Sequence, residues 1–224
     1  MSKRRIKIGS YDTAVDGLWT LSSWHLSEAE LAESYASVPG RADGPLDLST
    51  ILTDGEPHYN ARTFEAVLES SEGTRLEREA RINAMINQLD GYRHNIILPD
   101  DDTRYICGRV RIKKIYNDLA HCSVQVTATC EPWRFNVEET ILVLDASETE
   151  KLAVLTNEGR KSVIPVIDIS ESVLLKYSTN QEMFSWTKSE GQYIFPDLYL
   201  TPGTHQIHYS GSGQIKFTYR EAVL

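Results

Sequence analysis

Three cysteines in 224 residues, with no C-x-x-C spacing and no histidine at ligand spacing, give neither a disulfide framework nor a structural zinc site much to build on. Cys107, Cys122 and Cys130 therefore read as small buried hydrophobes in a reducing compartment. No apolar run approaches the roughly 20 residues that a membrane-spanning helix needs. The basic cluster Lys3-Arg4-Arg5 has no apolar core or small-residue cleavage site behind it, so a secretory signal is not expected there. Positive charge is also in deficit: 23 Lys and Arg against 32 Asp and Glu give a net charge of −9. Gripping DNA by phosphate neutralisation needs a basic face, and this balance argues against one. It is compatible with a surface that DNA slides past without sticking. The G-x-S-x-G elbow, the P-loop and the dinucleotide fingerprint are all missing, as are internal repeats and low-complexity tracts.

What is present is the composition of a folded protein, with 41% hydrophobic and 25% charged residues. The length suits one large domain or two small ones. The stretch Thr127–Phe135, reading Thr-Ala-Thr-Cys-Glu-Pro-Trp-Arg-Phe, divides two kinds of pattern. Before it the pattern is mixed; after it come short strands and turns. Pro132 falls where a strand is expected to leave its sheet. The seam candidates are Cys130, Pro132, Trp133, Arg134 and Phe135. Cys130 is expected to close the last strand of the first domain, and Trp133 with Phe135 to pack at the join. Arg134 is either a stacking or pairing guanidinium or a surface residue between two core aromatics. The expected domains are 1–135 and 136–224.

In the first half, Leu26–Tyr35 reads as a short helix or an extended arm, followed by a Gly-, Pro- and Asp-rich loop over 39–57. Tyr59–Glu69 alternates as a strand. Thr74 and Glu77 form a capping box for a helix whose apolar face is Ile82, Met85, Ile86 and Leu89, and Gly91 supplies its left-handed end. Arg104–Ile115 and His121–Thr129 read as a hairpin, with Pro99–Thr103 as a turn before it. In the second half, short segments punctuated by Gly turns point to an antiparallel β-sandwich, with Pro165 at an edge or bulge. The fold class is mainly β with one clear helix.

Chemistry is scarce. Asp100-Asp101-Asp102 point in different directions and converge poorly on one ion, so a solvated turn is the better reading. His205 and His208 do not share a strand face, and adjacent His121 and Cys122 leave a strand on opposite sides. Neither metal nor cofactor is expected, and no enzyme activity. Trp186, Tyr193 and Tyr199 suit either the faces of sugars or a small core, and the frequency with which aromatics are buried favours the core.

The order of several weak motifs is more specific than any one of them. Trp19 is followed by Val38-Pro39-Gly40-Arg41, Gly44-Pro45-Leu46-Asp47-Leu48-Ser49 and Tyr59-Asn60-Ala61-Arg62-Thr63-Phe64. Then come Leu89-Asp90-Gly91, Asp101–Arg109 and Cys130–Phe135, and in the second half Asn157-Glu158-Gly159, Ile164–Ile167, Thr201-Pro202-Gly203 and Gly211-Ser212-Gly213. This order resembles the distal tail proteins of long-tailed siphophages over nearly the whole chain. The resemblance implies an N-terminal split-barrel-like ring domain with a helix, followed by a C-terminal β-sandwich. It also implies a non-enzymatic virion protein at the tail tip, assembled in the host cytoplasm as a hexameric ring. Its implied partners are other copies of itself, the tail tube protein, a tail-tip hub or fibre protein and receptor-binding proteins, with DNA passing through and no membrane contact. Acidic residues near the 39–57 loop and the Asp100–Asp102 turn are the first candidates for the channel. Longer family members carry an inserted carbohydrate-binding module for which this chain has no room. The competing reading is a carbohydrate-binding adhesion module that uses the sandwich aromatics.

Overall fold

From Arg62 to Ser70 every second side chain is buried, and the same period runs from Cys122 to Cys130 apart from an extra buried Ser123. Side chains on a strand alternate between faces, so each stretch turns one face to a core. The two pair antiparallel, with Phe64 opposite Ala128, Ala66 opposite Val126 and Leu68 opposite Val124, all buried. The computed structural model describes residues 5–36, 46–50, 56–179 and 182–224. The chain divides into two units, Met1–Arg134 and Phe135–Leu224.

The first unit contains β1 (Lys7–Ile8), β2 (Tyr11–Asp12), β3 (Thr20–Leu26), β4 (Tyr35–Ala36), β5 (Leu46–Asp47), β6 (Arg62–Ser70), α1 (Arg75–Leu89), β7 (Arg93–Leu98), β8 (Asp101–Asn117) and most of β9 (Cys122–Asn136). The main sheet runs β2-β1-β7-β8-β9-β6-β3, and β4 pairs with β5. Its inward residues, with Trp19 and the helix, form one continuous core.

The helix begins as the capping box requires. The Thr74 hydroxyl accepts from the Glu77 amide, and the Glu77 carboxylate accepts from the Thr74 amide at 2.6 Å. These bonds hold the Glu77 carboxyl below its ordinary pKa. Ile82, Met85 and Leu89 are buried, Ile86 partly so. Asp90 closes the helix, Gly91 follows at φ +84°, and the Asp90 carboxylate accepts the Ile112 amide of β8 at 2.8 Å. The buried stripe also includes Arg78, only 1% exposed. Its guanidinium donates to the carbonyls of Gly73, Asp118 at 2.9 Å and Leu119 at 3.0 Å. A buried cation thus ties the helix start to the turn joining β8 and β9, supplying donors to the carbonyls of that turn.

Of the two forms open to Leu26–Tyr35, the extended arm is the one observed: Asn60 donates to the Glu30 carbonyl and Ala32 to that of His58, so neighbouring chain takes backbone groups that a helix would have paired internally. Of the 39–57 loop, residues 39–45 and 51–55 lie outside the described residues. The expected Pro99–Thr103 turn is shorter, because β8 already starts at Asp101. The Asp101 carboxylate accepts from the Thr103 amide and hydroxyl and pairs with Arg104 at 3.2 Å.

The second unit holds β10 (Thr140–Asp145), β11 (Lys151–Asn157), β12 (Val166–Ile169), β13 (Val173–Ser178), β14 (Met183–Lys188), β15 (Gly191–Ile194), β16 (Gly203–Gly211), β17 (Gln214–Tyr219) and β18 (Ala222–Val223). Two four-stranded antiparallel sheets, β10-β17-β12-β15 and β11-β16-β13-β14, enclose a single core that includes Leu155, Ile167, Leu175, Ile207 and Phe217. Pro165 precedes β12 rather than lying within it, so no ladder bond is lost to its missing N–H. Among the described residues α1 is the only helix.

Arg78→Ala would remove a donor from the Gly73 carbonyl at the helix start and from the Asp118 and Leu119 carbonyls of the β8–β9 turn. It is expected to lower unfolding free energy by about 3 kcal/mol, measured by urea denaturation. Thr74→Ala in the adjacent cap is expected to cost only about 1 kcal/mol.

Candidate functional site

The candidate residues lie at the end of β9, where its pairing with β6 finishes at Arg62 opposite Cys130. Arg62 is 8% exposed although it is a cation, because its position shares the parity of Phe64, Ala66 and Leu68. Its Nε donates to the Ser27 carbonyl at 2.7 Å, and a terminal nitrogen reaches the Pro132 carbonyl at 3.5 Å. Burial, and next the nearby Arg134 cation, lower its pKa. Ser27 in turn accepts the Thr63 amide on its hydroxyl and donates its own amide to the Thr63 carbonyl. One guanidinium therefore joins the exit of β3, the start of β6 and the end of β9.

Cys130 is 2% exposed, and burial pushes its thiol pKa up to about 12. A thiol so placed is neither nucleophile nor ready metal ligand. Gly108 on β8 is what admits it, since a Cβ there would lie 2.5 Å from the Cys130 sulfur and 3.0 Å from the Thr129 carbonyl. Pro132 does not turn the chain out of the sheet as expected: β9 runs through it to Asn136. The proline is tolerated because β6 pairing has already ended two residues earlier, so the missing N–H costs no bond on that side. Trp133 is partly buried and meets Tyr59 edge-on, with ring centroids 5.5 Å apart and planes at 78°. Arg134 is partly buried at the last position of the first unit. The Glu131 carboxylate pairs with Arg93, a half-exposed contact of small energetic weight.

Phe135 belongs to the second unit, where the Lys161 ammonium sits 4.9 Å from its ring centroid. The start of that unit is tied to its end. Asn136 donates its amide to the Glu221 carbonyl, Arg220 donates to the carbonyls of Asn136 and Val137, and Arg220 pairs with Glu139 at 2.9 Å. The Glu221 carboxylate, 9% exposed, accepts the Glu158 amide at 3.1 Å. The side-chain amide of Asn157, 1% exposed, donates to the carbonyls of Lys161 and Leu200 at 2.9 and 2.8 Å.

The sequence matches no protein-family model and no curated protein. A solved structure does match. It is the crystal structure of SPP1 Dit (gp 19.1), described as a paradigm of the hub adsorption apparatus in phages that infect Gram-positive bacteria. It aligns with a TM-score of 0.68 and 14% sequence identity, covering 98% of this chain and 99% of that one. The chain has the Dit fold. The expected fold class, mainly β with one helix in the first unit and an antiparallel sandwich in the second, is the one observed.

Within this Dit fold the other chemical candidates are occupied by packing. No three His, Cys, Asp or Glu side chains among the described residues are arranged to hold a metal ion. His205 contacts the Tyr177 hydroxyl at 3.0 Å and the Thr201 carbonyl at 2.8 Å, whereas His208 faces Glu150 at 3.2 Å. Trp186 stacks on Phe195 at 4.5 Å and on Phe184 at 5.8 Å, and Tyr193 stacks on Phe195 at 6.0 Å, all packed on the sandwich core. Tyr199 is exposed. Sequence reasoning missed Arg62, Arg78 and Glu221. The parity of Arg62, and the helical spacing of Arg78 with Ile82, Met85 and Leu89, were the available signals; Glu221 had none.

If the Tyr59–Trp133 contact steadies the end of β9, a double-mutant cycle of Tyr59→Ala and Trp133→Ala should show coupling of about 0.5–1.5 kcal/mol in unfolding free energy. Additive losses would mean the rings are merely neighbours.

Proposed function

We propose that this chain is a structural protein of a phage tail hub, a ring-forming component that joins the tail tube to the tip and lets DNA pass through. The observation that carries this reading is the end-to-end fold match: both units, in order, align over 98% of this chain and 99% of SPP1 Dit, with nothing large added or missing. An isolated sandwich match would have suited an adhesion module equally well. The first unit is the ring builder in this reading and the sandwich carries the contacts to other tip proteins. The acidic balance of −9 supports passage rather than retention of DNA, since a lumen of that sign repels phosphate.

The first unit also offers a means of assembly. β3 is the terminal strand of its sheet, paired only with β6 among the described residues. An edge strand with free N–H and C=O groups is a template for another chain, and ring closure removes such edges. The register shift between Leu21 and Ser23 bends this edge and restricts which strands fit against it.

The test is the mass and symmetry of the purified full chain, alone and with the tail tube protein, by sedimentation and negative-stain electron microscopy. A hexameric ring is expected in one of these two conditions. A monomer at every concentration, with no ring even beside its tube partner, would overturn the reading.

A further inference from the structure

The sheet β10-β17-β12-β15 has one face on the sandwich core and one on solvent, and the solvent face is not polar throughout. In register across all four strands stand Ile141, Thr218, Val166 and Ile194. Ile141 is 53% exposed and Ile194 61%. The hydroxyl oxygen of Thr218 is buried without a hydrogen-bond partner, so the row offers mainly carbon to solvent. At strand spacings of about 4.8 Å this apolar row is roughly 14 Å long. Solvent faces of antiparallel sheets ordinarily alternate to polar residues, and an aliphatic row crossing the whole sheet departs from that pattern.

The next row on the same face is Val143, Lys216, Asp168 and Gln192, again in direct register. Val143 is 48% exposed. Asp168 accepts from the Gln192 amide at 2.8 Å, while Lys216 makes no ion pair among the described residues. The two charges occupy the two central strands, β17 and β12, at the same height.

This arrangement is complementary to itself. A twofold axis lying in the face, parallel to the strands and midway between β17 and β12, keeps every residue at its height along the strands. It exchanges β10 with β15 and β17 with β12. Apolar row then meets apolar row, with Ile141 over the second copy's Ile194 and Thr218 over its Val166. Lys216 comes over the second copy's Asp168, and Asp168 over its Lys216. The strands of the two sheets stay aligned, which is one of the two common ways sheets stack.

We propose that this face is a twofold contact between two copies of the chain. It is separate from ring closure: neighbours in a sixfold ring are related by a rotation that is not twofold, so the contact joins copies that the ring does not make adjacent. The face is small beside the ~800 Å² per partner of a standard stable interface. The contact is therefore weak between two free copies and gains strength when several are held together.

Two charge-reversed variants of the full chain test it, K216D and D168K. Each alone places like charges opposite each other across the axis. Mixed, they pair Asp at 216 with Lys at 168 and Asp168 with Lys216 between copies, while each copy keeps its internal like-charge neighbours. By sedimentation equilibrium at high protein concentration, each single variant should self-associate at least tenfold more weakly than the natural chain, and the mixture should recover to within a few-fold of it. Ile194→Asp, at an exposed site, should abolish association. Thermal unfolding of each variant confirms that it is folded. A mixture no tighter than either variant alone, or a natural chain whose self-association ignores Ile194→Asp, would overturn the proposal. Capture of a different tail protein by this face, with no self-association of the natural chain, would overturn it too. Ring counts by microscopy report on the ring separately, so failure of one reading is distinguishable from failure of the other.

Discussion

The ladder between Arg62–Ser70 and Cys122–Cys130 is the constraint on which the first unit depends. It sets the parity of both strands, and parity decides everything placed beside them. A slip of one residue would turn Phe64, Leu68, Val124 and Val126 to solvent and bring Glu65 and Glu69 into the core. Each of these large apolar side chains contributes about 1.5–3 kcal/mol by its burial, so the register is strongly held. The same parity drives Arg62 inward. Its burial would be a liability without the carbonyls of Ser27 and Pro132, and with them it becomes the tie that gathers three strands at the ladder's end.

A second buried cation performs the same service at the other end of the hairpin. Arg78 stands on the apolar face of α1 and gives its donors to the Gly73, Asp118 and Leu119 carbonyls. Among the described residues neither arginine forms a salt bridge. Both donate to several backbone carbonyls, a role that depends on the guanidinium fork and that lysine fills poorly.

Elements governed by local rules were legible in the sequence. The capping box at Thr74 and Glu77, the glycine at 91, the long hairpin and the short-stranded sandwich all follow from periodicity and turn chemistry. Elements governed by distant partners were not. Leu26–Tyr35 contains residues that tolerate a helix, yet its backbone groups are taken by residues 58–60, about thirty positions away. Pro132 is a strand-ending signal only where a neighbouring strand needs its N–H, and that neighbour stops at Arg62. The network around Glu221 joins residues more than sixty positions apart and leaves no periodic trace. The motif order that pointed to the distal tail proteins succeeded where single motifs would have failed. The match is one of fold, at 14% identity over 98% of this chain.

One unit ends its main sheet on β3, paired only with β6 among the described residues, and in the other Phe184, Trp186, Tyr193 and Phe195 pack on the sandwich core while Tyr199 is exposed. The apolar row on the solvent face of that sandwich is then a surface for contact with protein. The most direct test is to locate the chain in an intact particle. Gold-labelled antibody against the purified protein, viewed on whole virions, should mark one end of the tail, at the junction of tube and tip. Label spread along the tube, confined to the capsid, or absent from virions in which the chain is detected only in the lysed host would contradict a tail-hub role.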